Sequence, residues 1–245
     1  MLASFIFFTF MAMAMGSPVP STIWRPHHRD GSNFFSSLTG TCSLNMSSIP
    51  SAANFTSTLP TPTGQRLQYV AVGRGIQNYT CDSSDPTATP APVGAIAALY
   101  NANCVVQNYA YMIDKIPDLL LQFSVNSTKD EILASDSPNL LGHHRFGNST
   151  TAVFDLNTAS HEYGEVVAHK ADSMKAPNIS PAGQSPSANG AVAWLYLLPS
   201  AESTADTTSV YRTHTAGGSA PATCEGQKGG TLSVEYAALY WFFKK

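Results

Sequence analysis

Residues 73–81 read GRGIQNYTC, and how these nine are taken decides what kind of protein the chain can be. As Gly73-x-Gly75 they would open a dinucleotide-binding loop. That fingerprint needs a third glycine three residues after the second, followed by a helix. Asn78 stands at that place and a β-rich run continues through Thr80, so no nucleotide cofactor is expected. As a strand, the same stretch carries a glycosylation acceptor, Asn78-Tyr79-Thr80, and ends on Cys81. Successive side chains of a strand point to opposite faces. A glycan on Asn78 would put Ile76 and Thr80 in solvent with it and turn Gln77, Tyr79 and Cys81 inward. Gln77 is then a buried amide that requires hydrogen-bond partners.

Similar runs extend to both sides: LQYVAVG, GIQNYTC, GAIAALY, TAVFDL, EVVAHKA, AVAWLYLLP, SVYRTHTA and LSVEYAALYWFF. Breaker-rich segments such as DSSDPTATPAP and APNISPAGQSPSANG separate several of them. AVAWLYLLP and the last run are apolar at odd and even positions alike, as strands covered on both faces are. One stretch, residues 101–123, reads as helical. Val106, Tyr109, Ile113 and Ile116 recur at three- and four-residue steps, and Pro117 can end one helix and open a shorter one. The expectation is a mainly β, disulfide-stapled single domain over residues 64–245, a β-sandwich or a squat β-barrel with one or two short helices.

Residues 2–15 are mostly apolar and uncharged, too short to span a bilayer, and Ala14-Met15-Gly16 offers the small residues a signal peptidase reads. Residues 1–16 are therefore expected to be a signal peptide, and residues 17–63 a Ser/Thr/Pro-rich arm tied down by Cys42. The end, YWFFKK, lacks the long apolar tail of a lipid-anchor signal. Secretion, with no membrane attachment after cleavage, is the expected fate. Charged residues are 12% of the chain and the net charge is −3, which supplies no basic field for nucleic acid.

The four cysteines, Cys42, Cys81, Cys104 and Cys224, show no short Cys-x-x-Cys spacing, so no metal site is expected of them. In the secretory pathway they would form two disulfides, with three pairings open to them. Six acceptors, Asn45, Asn54, Asn78, Asn126, Asn148 and Asn178, point to a glycoprotein.

GIQNYTC, PVGAIAALYNANC, LLGHHRF, AVFDL, AVAWLYLL, VYRTHTAGGSAPATC and VEYAALYWFF together resemble a family of secreted fungal and bacterial proteins known as a domain of unknown function. Its fungal members often carry the label malate dehydrogenase, which the failed glycine pattern does not support. The resemblance implies a fungal extracellular protein with an all-β core. The two-cysteine pattern of the bacterial members falls on Cys81 and Cys224, which implies that pairing and leaves Cys42 for Cys104. The family's Gly-x-His-Tyr-Phe appears as Gly142-His143-His144-Arg145-Phe146, with Arg145 in place of tyrosine, so any site that depends on that phenol would be altered here.

Three places are candidates for chemistry. His143 and His144 are adjacent and would face opposite sides of a strand. With His161, His169 or His214 a metal cluster would be conceivable, but no spacing requires one, and none is expected. His144, Asp155 and Arg212 would suit general acid–base work on a sugar or ester if folding gathered them. Glu165 or Glu235 would supply the second carboxylate of a glycosidase. Third, Gly217-Gly218 in TAGGSAP would permit a turn with amides facing a ligand, or one that simply carries the chain to Cys224. No Gly-x-Ser-x-Gly nucleophile elbow occurs. The expected function is that of a secreted surface or cell-wall protein whose partner is a wall polysaccharide or another extracellular ligand. The alternative is a secreted carbohydrate- or ester-active hydrolase or lyase.

Overall fold

In the computed structural model of the chain, residues 42–45, 59–82, 84–123, 139–183, 188–227 and 230–245 are described. The expected signal peptide, most of the arm, and the acceptors Asn54 and Asn126 lie outside them.

Among the described residues there are eight strands: β1 (Arg66–Cys81), β2 (Ala91–Asn101), β3 (Leu140–Phe146), β4 (Thr151–Thr158), β5 (His161–Met174), β6 (Trp194–Pro199), β7 (Ser209–Gly217) and β8 (Gly230–Lys244). Each pairs antiparallel with the next, and β8 returns to pair with β1, so the sheet closes into a barrel. Of the two expected architectures the barrel is the one formed. Closure leaves no unpaired sheet edge.

The strands differ from the expected runs in two places. LQYVAVG and GIQNYTC are one continuous strand, β1, and LLGHHRF, which had not been counted among the runs, is β3. Gly73 and Gly75 do not break β1 because they answer a need for close approach. A Cβ on Gly75 would lie 1.9 Å from the Ile96 carbonyl oxygen, and one on Gly73 would lie 2.6 Å from the Tyr240 ring. Small side chains on β1 and β2 (Ala71, Ala95, Ala97) thus share the interior with Phe154, Tyr236, Tyr240 and Phe242. Alternating small and large residues is how narrow barrels fill their lumen.

A second apolar layer lies outside the barrel. Helix α1 (Asn103–Asn108), a 3₁₀ turn (Ala110–Met112) and helix α2 (Ile116–Leu121) pack Val106, Ile113 and Leu120 with Val70, Val72, Leu239, Trp241 and Phe243. This explains the apolar residues on both faces of β8. In β6 the double covering is partial, since Trp194 and Leu197 are buried but Leu198 is 42% exposed. The expected helical stretch breaks after Asn108, which leaves Tyr109 exposed rather than on the buried stripe. Pro117 sits in the first turn of α2, where its missing N–H has no partner to lose.

Arg74, between the two glycines, points outward beneath α2. Its Nε and Nη2 donate to the carbonyls of Leu120 and Phe123 (3.2 and 2.8 Å), and it pairs with the Glu235 carboxylate. The end of the helix is thereby capped. Burial pulls the Arg74 pKa down, and Glu235 works against that shift. Ile76 shares the outward face with Asn78, but it is buried against Ile96, Ala98 and Leu140 rather than in solvent. Alternation fixes the side of the sheet, not whether something covers it. The disulfides are Cys81–Cys224 and Cys42–Cys104, the pairing that the family resemblance implied. Among the described residues no helix is long and apolar enough to cross a membrane.

Candidate functional site

Because the strands run up and down, the ends of β1, β3, β5 and β7 and the starts of β2, β4, β6 and β8 gather at one end of the barrel. A cavity of about 480 Å³ opens there inside the sheet. Gln77, His144, Phe146, Phe154, Leu197, Arg212 and Tyr240 line it, and Ser149, Thr150, His169 and Lys170 also border it. The space exists because Gly94, Ala152 and Ala193 on the walls are small. Elsewhere the lumen holds buried Leu99, Leu156 and Phe242. Eight-stranded barrels are just wide enough either to fill with side chains or to hold one small ligand. This one is filled with side chains along part of its length and open at one end.

Arg212 projects into the barrel from β7 and is 7% exposed. Its Nε and Nη2 donate to the Ala193 carbonyl at 3.2 and 2.9 Å. It also reaches the Tyr240 hydroxyl, which is bonded to the Tyr236 hydroxyl at 2.9 Å. Burial raises the pKa of both phenols, so both stay protonated and neither neutralises the guanidinium. Among the described residues no carboxylate lines the cavity and none forms an ion pair with Arg212. A buried cation without a counter-ion is costly, and a bound anion would offset that cost.

His144 faces Arg212 from across the barrel, on β3, and is 2% exposed. Its ring stacks on Phe154 with centroids 4.5 Å apart and lies 5.6 Å from the Tyr240 ring. Burial drives its pKa down to about 3, and the charges of Arg212 and Arg145 push the same way. The imidazole is therefore neutral at ordinary pH. Nδ1 is 3.1 Å from the Val153 carbonyl, so Nδ1 carries the proton and donates, and Nε2 is left as an acceptor.

Gln77 points inward as expected, but one end of its amide lacks the partner it requires among the described residues. Its Nε2 is buried and unbonded among the described residues. Gln77 Cγ and the Val192 side chain both lie against Gly218, next to the Ala193 carbonyl that holds Arg212. The unbonded amide and the guanidinium therefore share one wall.

The expected His144–Asp155–Arg212 grouping is not assembled. His144 and Arg212 line the cavity, but Asp155 lies on the outer face of β4 opposite His143, where it accepts from the Asn157 N–H. The register makes this unavoidable, since His144 pairs with Phe154. Neither expected second carboxylate lines the cavity. Glu165 pairs with Arg145 at 2.8 Å and Glu235 with Arg74, both on the outer surface. Arg145 itself points away from the cavity, so the tyrosine it replaces would stand outside it too.

Gly217 and Gly218 do have positive φ (63° and 92°), but they do not form a ligand loop. Gly217 N–H donates to the Pro181 carbonyl, and the Gly218 carbonyl accepts from the Tyr79 hydroxyl at 2.7 Å. The turn carries the chain to Cys224. The other histidines are scattered. His161 lies 3.1 Å from the Leu141 carbonyl and stacks on Tyr163, His214 contacts Asp114, and among the described histidines only His169 joins His144 in bordering the cavity. No three His, Cys, Asp or Glu side chains among the described residues come together as a metal site. Asn45, Asn148 and Asn178 are exposed, and Asn78 is half-buried with its Oδ1 accepting from Ser233. Phe146, Phe154, Lys170 and Tyr240 were not picked out in the sequence. Phe154 and Tyr240 sit in runs read as core, and nothing local separates a core ring from one that borders a cavity.

Fold and site together define a closed, eight-stranded antiparallel barrel with a cationic and aromatic cavity at one end. The chain belongs to the family described as "Protein of unknown function (DUF3455)", whose sequence model matches residues 62–244. No curated protein and no solved structure matches the chain.

Proposed function

We propose that the chain is exported and works outside the cell as a small-molecule-binding barrel rather than as a hydrolase. The observation that carries this reading is the cavity itself. It lies within the sheet, is walled by aromatic rings, and holds a buried cation and a neutral imidazole with no carboxylate beside them among the described residues. A glycosidase needs two carboxylates about the scissile bond, and Asp155, Glu165 and Glu235 all lie on the other side of the sheet. Such a cavity takes one small molecule, not a polysaccharide chain, so a cell-wall association in this proposal is a location and not the cavity's ligand. Export is supported by the two disulfides, the apolar run over residues 2–15, and the exposed acceptors. A glycan on Asn148 would stand beside Ser149 and Thr150 at the cavity.

The test uses 8-anilinonaphthalene-1-sulfonate, a fluorescent aromatic anion, with the disulfide-bonded protein secreted by a eukaryotic host. One saturable site is expected, lost in Ala152→Trp, which fills the cavity from β4. Absence of probe binding by folded protein overturns the reading, as does His144-dependent turnover of nitrophenyl esters or glycosides. Intact mass before and after glycosidase and reductant checks export. Retention of residues 1–16, or four free thiols, refutes that part.

A further inference from the structure

We propose that the cavity's ligand is a phenolic monocarboxylate, with its carboxylate on Arg212 and Gln77 and its hydroxyl on His144. This rests on the binding-barrel reading and goes further by naming the ligand's chemistry.

Three unmet requirements of the cavity lead to it. Arg212 is buried, and its described partners are the neutral Ala193 carbonyl and the Tyr240 phenol. Gln77, 8% exposed on the same wall, has an unbonded Nε2. Guanidinium and amide both donate, and a carboxylate, with two acceptor oxygens, answers both. Lys170, exposed at the cavity, adds a positive charge at its edge, whereas among the described residues no acidic side chain lines it. The third requirement is the reverse of the others. With Nδ1 donating to Val153, the remaining ring nitrogen of His144 accepts, so it calls for a donor and disfavours a second carboxylate. A dicarboxylate therefore fits worse than a hydroxy acid.

The body between the two polar ends is also specified. Arg212 on β7 and His144 on β3 lie half the barrel apart, with Tyr240 between them and Phe146 and Phe154 alongside His144. A flat ring with a carboxylate at one end and a hydroxyl at the other matches that order of polar groups and stacks where the walls are aromatic.

The experiment is isothermal titration of the secreted protein with 4-hydroxycinnamate, its methyl ester and cinnamate, with displacement of the anilinonaphthalene probe in parallel. Losing the charge should weaken binding about 10- to 100-fold, the range for hydrogen bonds to a charged group, and losing the hydroxyl about 3- to 10-fold. In Gln77→Leu and Arg212→Gln the acid should lose affinity while the ester changes less than about twofold. The acid–ester comparison uses unmodified protein, so it stands even if Arg212→Gln fails to fold. Equal affinity for acid and ester overturns the inference while leaving a binding barrel in place. Probe binding with no displacement by any of the three compounds does the same. Failure of the probe itself removes both readings.

Discussion

Acidification tests the buried imidazole directly. His144 has an ordinary pKa of 6.5 in the unfolded chain and one of about 3 in the barrel, lowered chiefly by burial. Below pH 6.5 the unfolded chain takes up a proton there that the folded protein refuses, so stability falls as pH falls. The contribution is fully present above pH 6.5 and is lost progressively toward pH 3. Each pH unit inside that window costs about 1.4 kcal/mol. Between pH 7.5 and 4.5 the loss from this one residue is therefore on the order of 3 kcal/mol, a large share of the roughly 5–15 kcal/mol typical of a folded domain. Asp114, whose carboxylate is held low by its contact with His214, contributes in the same direction at lower pH still, since it loses its share as pH falls through its own depressed pKa. The assay is urea unfolding followed by tryptophan fluorescence at several pH values, on the native protein and on His144→Asn. Asparagine keeps a donor for the Val153 carbonyl and cannot titrate. The variant is expected to be less stable at pH 7.5 but to lose about 3 kcal/mol less on going to pH 4.5. Parallel pH profiles for the two proteins would refute a neutral, buried His144.

Three further outcomes follow from the packing. Gly75→Ala drives a methyl into the β2 backbone and is expected to cost about 3 kcal/mol or more, while Gly73→Ala, which meets the end of the Tyr240 ring, costs less; differential scanning calorimetry ranks them. Replacing Cys81 and Cys224 together by serine opens a link between residues 143 apart and should cost about 4–5 kcal/mol in the chain-entropy account, read as a shift in the urea midpoint under non-reducing conditions. Arg145→Tyr, which puts in the tyrosine that the family resemblance implies, should leave probe affinity within about twofold because the side chain lies outside the cavity; a tenfold change would place it inside. The part-exposed Arg145–Glu165 pair makes its loss worth no more than about 1 kcal/mol.

What was legible in the sequence was the side of the sheet, and what was hidden was the pairing across it. GRGIQNYTC carried a period of two strong enough to turn Gln77, Tyr79 and Cys81 inward, and they are inward. The same rule misjudged Ile76 because a residue on the outer face can still be covered by another part of the chain. The site turned on LLGHHRF. Two histidines, an arginine and a glycine mask a strand by composition, so residues 140–146 were not paired with TAVFDL. Had they been, Gly147-Asn148-Ser149-Thr150 would have read as the turn of a hairpin, and Asn148 does bond the N–H groups of Thr150 and Thr151. Pairing across that turn sets His144 beside Phe154 and His143 beside Asp155, so counting residues keeps Asp155 away from His144. Arg212 is different in kind. SVYRTHTA shows a charge among apolar neighbours, and alternation can place it inside, but a buried arginine usually has an acid opposite it. That this one faces a carbonyl and a phenol depends on β6 and β8 lying on either side of β7. Among the described residues the lack of a counter-ion for Arg212 is a property of the closed barrel, not of any segment within it, and it is the ground for proposing an anion there.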